Sequence, residues 1–290
     1  MDGAGRVDAA MVLCAGLGTR LRPLTDELAK PMVPVGDAPA VAHVVARVRL
    51  ATPARIVVNV HHRPGDVRAW AEGEHITVSH EPELLGTAGG VAGAAALLGP
   101  AGSVLVWNGD ILSELDPREL TRGDSAALAT LAVHARPAGE GNVGFDEGGR
   151  IVRLRKSSFG PEDHGGDFLG IHVLGEKLRA LLPAKGCLVG DAYLPALARG
   201  ERLHAHVTRA PFVDVGSVAQ YLAANAEWLR AHGLASWAHP TAVINAPIEG
   251  SVIGAGAVVD APALRSVVWP GAHVRSACDA AVVTKLATAR

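Results

Sequence analysis

The sequence predicts an α/β protein: a Rossmann-like, mostly parallel mixed sheet with helices on both faces, followed by a short C-terminal left-handed β-helix-like segment. Three observations carry that expectation. Short unbroken apolar runs alternate with stretches of helical periodicity through the first half, which calls for right-handed crossovers and strands covered on both faces. A glycine turn follows the first of these runs, beyond the carboxyl end of a strand, where such sheets bind ligands. After Gly233 the texture changes to short β-runs that turn at Pro or Gly at nearly regular intervals.

In chain order, residues 9–14 (AAMVLC) read as a buried strand and Gly16–Gly18 as the turn after it. Residues 39–50 carry apolar side chains at helical spacing, and 55–60 (RIVVNV) form the next strand. A helix is expected over 66–71, a short strand over 76–79, and an Ala-rich helix over 88–98 that stops at Gly99-Pro100. The strand 103–107 (SVLVW) ends at Asn108-Gly109-Asp110. Residues 125–215 mix β-rich runs with one or two helices and read as an insertion that continues the sheet and adds a second wall to the site. A helix from Val218 to about Ala231 closes the large domain, 1–232. In the segment 233–290, HPTAVI, IGAGAV and WPGAHV share a pattern: Pro or Gly second, a small residue fourth, an aliphatic sixth. Their second positions, Pro240, Gly254 and Pro270, are 14 and 16 residues apart, which suggests a hexapeptide-like solenoid of two or three coils. An irregular β-rich tail is the competing reading.

Composition narrows the function. The chain has 290 residues, 49% hydrophobic and 19% charged, enough for one large domain and a small appendage. Lys and Arg (27) nearly balance Asp and Glu (29), so no general field draws nucleic acid or an anionic membrane. The polar, acidic start lacks the basic and apolar regions of a signal peptide, and no run is long enough to span a bilayer. Cys14, Cys187 and Cys278 are scattered and odd in number, which fits neither disulfides nor a zinc site. A cytoplasmic protein is expected. His61-His62 lacks a third ligand at metal spacing and reads as a polar strand end, and Ser157-Ser158 has no strained elbow around it.

The sharpest chemical signal is GLGTRLRPLT, residues 16–25, with Lys30-Pro31 shortly after. Glycines let backbone N–H groups face an anion without interference from Cβ. The planar fork of Arg20 suits phosphate oxygens, and Lys30 adds a point-like positive charge. This segment resembles the signature of the sugar-1-phosphate nucleotidylyltransferases, and the likeness extends along nearly the whole chain. The resemblance implies a nucleoside triphosphate at Leu13, Ala15, Gly16, Gly18 and Thr19, with Arg20 and Lys30 as the catalytic cations. It also implies Mg²⁺ on Asp110 and Asp214, each at the end of an apolar run. A magnesium ion takes one or two carboxylates plus phosphate oxygens. Structural roles for both carboxylates, such as helix capping by Asp214, are the alternative, although Ser217 is better placed to cap.

The segment Glu81–Gly90 (EPELLGTAGG) matches the family's base-reading stretch, which implicates Glu81, Gly86 and Thr87. A carboxylate only accepts hydrogen bonds, and guanine offers two adjacent donors, so Glu81 favours GTP if it faces the base. A solvated loop acid is the other reading of Glu81. Gly144, Lys156, Gly170 and Asp191 resemble positions that line the sugar phosphate. Many relatives carry Glu-Lys-Pro where this chain has Arg155-Lys156-Ser157, which leaves the sugar open. Asp191 either supplies the missing hydroxyl contact or caps a helix.

The expected reaction joins a triphosphate to a sugar 1-phosphate and releases pyrophosphate, with GTP and mannose 1-phosphate first. A uridylyl- or thymidylyltransferase acting on glucose 1-phosphate or N-acetylmuramate 1-phosphate is the close alternative. A catalytically silent regulatory homologue that binds nucleotide sugars is the distant one. The solenoid's open ends and flat faces suit a homo-oligomer through the C-terminal segment.

Overall fold

The computed structural model describes residues 7–290; the first six residues of the polar start lie outside the described residues. The described chain divides into two compact units. One runs up to Gly16 and resumes over Val44–Phe212; the other comprises Leu17–His43 and Val213–Arg290.

The first unit is built on a ten-stranded mixed sheet of β1 (Ala9–Leu13), β2 (Ile56–Val60), β3 (Thr77–His80), β4 (Ser103–Asn108), β5 (Ala129–Arg136), β6 (Val143–Phe145), β7 (Ile151–Leu154), β8 (Ser157–Ser158), β9 (His164–Gly175) and β10 (Leu203–Thr208). The strand order is β8-β7-β6-β9-β4-β1-β2-β3, with β5 also beside β9 and β10 beside β5. Strand β1 pairs in parallel with β2 and β4, and β2 with β3. The insertion brings the antiparallel part: β9 runs against β4, β5 and β6. Both faces are covered. Ala9 and Met11 pack with Ala88, Val91, Ala94 and Leu98, while Ala10 and Val12, on the other face, are equally buried. That double burial is why these strands read as continuous apolar runs rather than alternating ones.

Helices fall at Ala40–Val48, Pro64–Gly73, Gly86–Gly93 and Ala95–Leu98. The single Ala-rich helix expected over 88–98 is therefore two. It starts two residues earlier, at Gly86, and breaks at Ala94, after a turn thinned by Gly89, Gly90 and Gly93. Among the described residues no helix is long and apolar enough to cross a membrane.

The second unit joins the signature segment, the helix Val218–Ala231 and a three-faced solenoid. Ser217 caps the helix, its hydroxyl accepting the Gln220 N–H. Asn225 accepts the Gly36 N–H at 2.9 Å through Oδ1, and the Trp269 indole N–H donates to the Tyr221 hydroxyl at 3.0 Å. A side chain on Gly36, whose φ is 60°, would begin 2.1 Å from the Trp228 ring, so only glycine fits that turn.

The solenoid repeats every 15 residues. Trp237, Val252, Val267 and Val282 stack in one parallel ladder, Val243, Val258 and His273 in a second, and Ile248, Ala263 and Cys278 in a third. The strand Thr288–Ala289 ends the first ladder by pairing antiparallel with Val282–Val283. The alignment on Pro240, Gly254 and Pro270 is thus one residue out in the middle coil, where Ala255 stands opposite the prolines. Gly254 is a glycine for another reason: a Cβ there would lie 2.7 Å from the nitrogen of Pro270 in the next coil.

Candidate active site

Within the first unit, hydrogen bonds gather the segments that carry the expected site. Strand β1 runs out at Leu13, whose carbonyl accepts the Gly109 N–H at 2.9 Å and so anchors the 108–110 turn beside it. Asp110 is half-buried there, and it acts electrostatically on Cys14: burial, then the Asp110 charge, push that thiol well above its ordinary range. Gly170 interrupts the register of β9 with a φ of 73°, and a side chain on it would begin 2.3 Å from the Asn108 amide. The end of β1 at Leu13 thus sits beside the turn that carries Asp110, and Gly170 packs on Asn108 at the start of the same turn.

The loop that opens the helix Gly86–Gly93 is fastened to residues 186–188. The Gly186 N–H donates to the Leu85 carbonyl at 2.8 Å, the Ala88 N–H to the Gly186 carbonyl at 2.9 Å, and the Leu188 N–H to the Thr87 hydroxyl at 2.8 Å. Asp191 sits at the same junction, accepting the Cys187 N–H at 2.7 Å. The exposed Asp191 thus spends one oxygen on the backbone N–H just ahead of the π-helical turn Leu188–Tyr193 that contains it. The His172 ring, two residues past Gly170, meets the Tyr193 hydroxyl at 2.6 Å and ties the turn to β9 from below.

Glu81 departs from both of its sequence readings. It is neither a solvated loop acid nor a carboxylate held open toward a ligand: the residue is 2% exposed. One oxygen accepts from the Asn59 amide at 2.6 Å, the other from the Leu85 N–H at 3.1 Å. Asn59 in turn accepts the Cys14 N–H at 2.7 Å.

Two sugar-side positions are not brought to this cluster. The space above Gly144 holds the Glu162 carboxylate, which pairs with Arg153 at 2.6 Å; a Cβ on Gly144 would lie 1.6 Å from it. Lys156 sits exposed in the two-residue turn joining β7 to β8, at the outer end of the sheet order. Its neighbour Arg155 is the residue that reaches inward, its guanidinium donating to the Cys187 sulfur at 3.5 Å. Burial pushes the Cys187 thiol up, but the Gly190 and Val189 N–H groups, Thr87 and Arg155 together leave it below its ordinary value. In the sequence Cys187 stands out only as a scattered cysteine and Arg155 only as a departure from Glu-Lys-Pro, with nothing to pair them. Asn59 carried a signal in hindsight: a lone amide inside an apolar strand must find partners.

In the second unit the signature turn is closed by the Thr25 hydroxyl, which donates to the Gly18 carbonyl at 2.9 Å. Gly18 has a φ of 64°, and a Cβ on it would lie 2.6 Å from Thr25 and 3.1 Å from the Lys30 Cβ. That contact brings the half-buried Lys30 alongside the turn, while Gly16, Thr19 and Arg20 are exposed. Gly216 lies between Arg20 and Asp214, its Cβ position 3.1 Å from the Arg20 guanidinium and 3.0 Å from the Asp214 carboxylate.

A glycine turn leaving a parallel strand, with a guanidinium and carboxylates at strand ends, defines a nucleotide-handling α/β enzyme. The family described as nucleotidyl transferase matches residues 9–156, and the chain belongs to it. Within it, the chain is one of the sugar-1-phosphate nucleotidylyltransferases. It is 29% identical over 300 aligned residues to a mannose-1-phosphate guanylyltransferase of Mycobacterium tuberculosis, covering 93% of this chain and 82% of that one. It is 30% identical over 230 residues to an N-acetylmuramate alpha-1-phosphate uridylyltransferase of Neisseria meningitidis, covering 75% of this chain and 96% of that one. The crystal structure of HddC from Yersinia pseudotuberculosis complexed with GMP-PN shares the fold, with a TM-score of 0.63, 22% identity, and coverage of 76% of this chain and 99% of that one.

Proposed function

We propose that the protein transfers a guanylyl group from GTP to mannose 1-phosphate, releasing pyrophosphate, in a Mg²⁺-dependent reaction. The observation that carries the substrate reading is the likeness to a mannose-1-phosphate guanylyltransferase along 93% of the chain, solenoid included. The sugar-phosphate oxygen attacks the α-phosphorus in line and no covalent enzyme intermediate is needed, so the obstacle is repulsion between two anions. Arg20 and Lys30 offset the charge that grows on the departing pyrophosphate. Backbone at Leu13, Ala15, Gly16, Gly18 and Thr19 faces the triphosphate, and the Gly86–Thr87 turn lies against the base. Gly170 and Asp191 line the sugar-phosphate side.

The donors would fit magnesium: Asp110 and Asp214 offer half-buried hard carboxylate oxygens, the donor type that ion takes. When bound, the ion supplies Lewis-acid stabilisation of phosphate oxygens. A homo-oligomer through the solenoid, and a cytoplasmic setting, belong to the same proposal.

The second reading, uridylyl transfer to N-acetylmuramate 1-phosphate, is supported by the 30% identity to the Neisseria enzyme over 96% of its length. Pyrophosphate release separates the two, with GTP, UTP, dTTP, CTP and ATP crossed against a panel of sugar 1-phosphates. Preference for GTP with mannose 1-phosphate is expected. Preference for UTP with N-acetylmuramate 1-phosphate selects the second reading. Nucleotide binding without turnover on any pair selects the regulatory homologue.

A further inference from the structure

Glu81 and Asn59 are both buried, at 2% and 3% exposure, between first-unit segments expected at the nucleotide. Together they touch every first-unit segment that nucleotide binding would use. Asn59 Oδ1 takes the N–H of Cys14, the residue just before Ala15 and Gly16. Asn59 Nδ2 and the Leu85 N–H converge on the two oxygens of Glu81, fixing the residue just before Gly86 and Thr87. The Glu81 backbone is held as well, its N–H donating to the Val60 carbonyl at 2.9 Å and its carbonyl meeting the His61 ring nitrogen at 2.9 Å. Gly90 leaves room for the pair: a Cβ there would stand 2.8 Å from both Asn59 Nδ2 and Glu81 Oε1.

We infer that Glu81 is a positioning residue that works through Asn59, locking the glycine turn after β1 and the Leu85–Thr87 turn in one register, and that it does not read the base. This rests on the nucleotidyl-transfer reading of the site. The donor and acceptor inventory makes it sharply testable. In the chain Cys14 N–H, Asn59, Glu81, Leu85 N–H, both ends donate, so the two side chains between them must supply three acceptors and one donor. An Asn with a carboxylate meets that requirement. Glu81→Gln adds a second amide and forces one donor against another, wherever Asn59 turns. The double swap Asn59→Asp with Glu81→Gln restores the count: the aspartate accepts from Cys14 and from the new amide, whose oxygen accepts from Leu85.

The experiment measures thermal stability, GTP and UTP dissociation constants, and KM and kcat for wild type, Glu81→Gln and the double swap. Glu81→Gln is expected to weaken GTP and UTP by the same factor, about tenfold or more, since one buried hydrogen bond is lost and a donor is stranded. KM should carry the change more than kcat. The double swap should return stability and both affinities to within about threefold of wild type. A change in the GTP-to-UTP ratio of about tenfold in Glu81→Gln, unrestored by the swap, overturns the inference and makes Glu81 the base reader. So does a loss of stability with nucleotide affinity unmoved, or a double swap that fails to fold. A wild type that binds nucleotide but turns over no pair defeats the catalytic reading alone, because the affinities and melting temperatures still decide this one.

Discussion

Arg20 and Asp214 both close on Gly216: a single methyl group there would stand 3.1 Å from the Arg20 guanidinium and 3.0 Å from the Asp214 carboxylate, with the Gln220 side-chain oxygen at 2.9 Å. All three neighbours are ends of side chains, so Gly216→Ala can fold by moving them a few tenths of an ångström. Catalysis is far less tolerant of such shifts than folding is. The variant is expected to lose about tenfold in kcat with its melting temperature nearly unchanged, as small misplacements at a reacting centre do. Steady-state kinetics beside a melting curve checks it; equal loss in both would place Gly216 in folding rather than in the site.

Asp110→Asn keeps size and shape at the end of β4 and removes one charge. About a thousandfold fall in kcat is expected, the range found when a main electrostatic contributor to a transition state is lost. The Mg²⁺ concentration needed for half-maximal rate should rise with it. Near-normal turnover would remove Asp110 from the metal site.

At Gly86 the backbone itself excludes a side chain. Its φ is 76°, and a Cβ would lie 2.4 Å from the Gly186 carbonyl oxygen, which cannot swing aside. Gly86→Ala should lower stability by at least the ~1–2 kcal/mol of left-handed strain and raise KM for the triphosphate, because the same turn lies where the base is expected. Chemical denaturation and KM for GTP are the measurements; an unchanged KM would detach this turn from the nucleotide.

Much of this was legible in the sequence because the physics involved is local. Strands buried on both faces must be continuous apolar runs, and a closely packed turn at positive φ favours glycine, so β1, β2, β4 and Gly18 could be read directly. What was missed is tertiary. Glu81 reads as a loop acid until Asn59, 22 residues away, is folded against it. Gly144 resembles a ligand-facing glycine, yet its missing side chain makes room for Glu162. The solenoid register slipped because Ala255 occupies a turn position without a turn residue's character, while the adjacent Gly254 has that character for the sake of Pro270 in the next coil.

His172 gives the first unit a pH dependence. Burial lowers its pKa from 6.5 to about 3, and the Tyr193 hydroxyl meets the neutral ring at Nδ1. Between those values the unfolded chain binds a proton that the folded chain refuses. Stability should therefore be undiminished by this group above pH 6.5 and should fall steadily as pH drops toward 3. Denaturant midpoints from pH 7 to pH 4 in wild type and His172→Gln test it. The variant starts lower, having lost the fitted ring, but should show a flatter slope over that window. Parallel slopes would mean that His172 is not what titrates.

The solenoid's stability can be tested at one hydroxyl. Ser236, Ser251 and Ser266 stand one coil apart, and each accepts an N–H from the coil above: Ser251 N to Ser236 Oγ at 3.3 Å, Ser266 N to Ser251 Oγ at 3.0 Å, Ala281 N to Ser266 Oγ at 3.2 Å. Ser266 also donates to the Leu264 carbonyl at 2.6 Å. This column lies inside the coil, where Ser251 and Ser266 are buried and water cannot substitute. Ser266→Ala leaves the Ala281 N–H without its acceptor and should lower stability by about 1–3 kcal/mol, the usual penalty for a stranded buried group. Ser236→Ala, near the open end of the ladder, should lower it less, because Ser236 is itself half-exposed and water can take the place of its hydroxyl. Comparing the two variants by denaturation separates a ladder that works by burial from one that is only a packing pattern. Equal losses at both positions would favour the packing pattern.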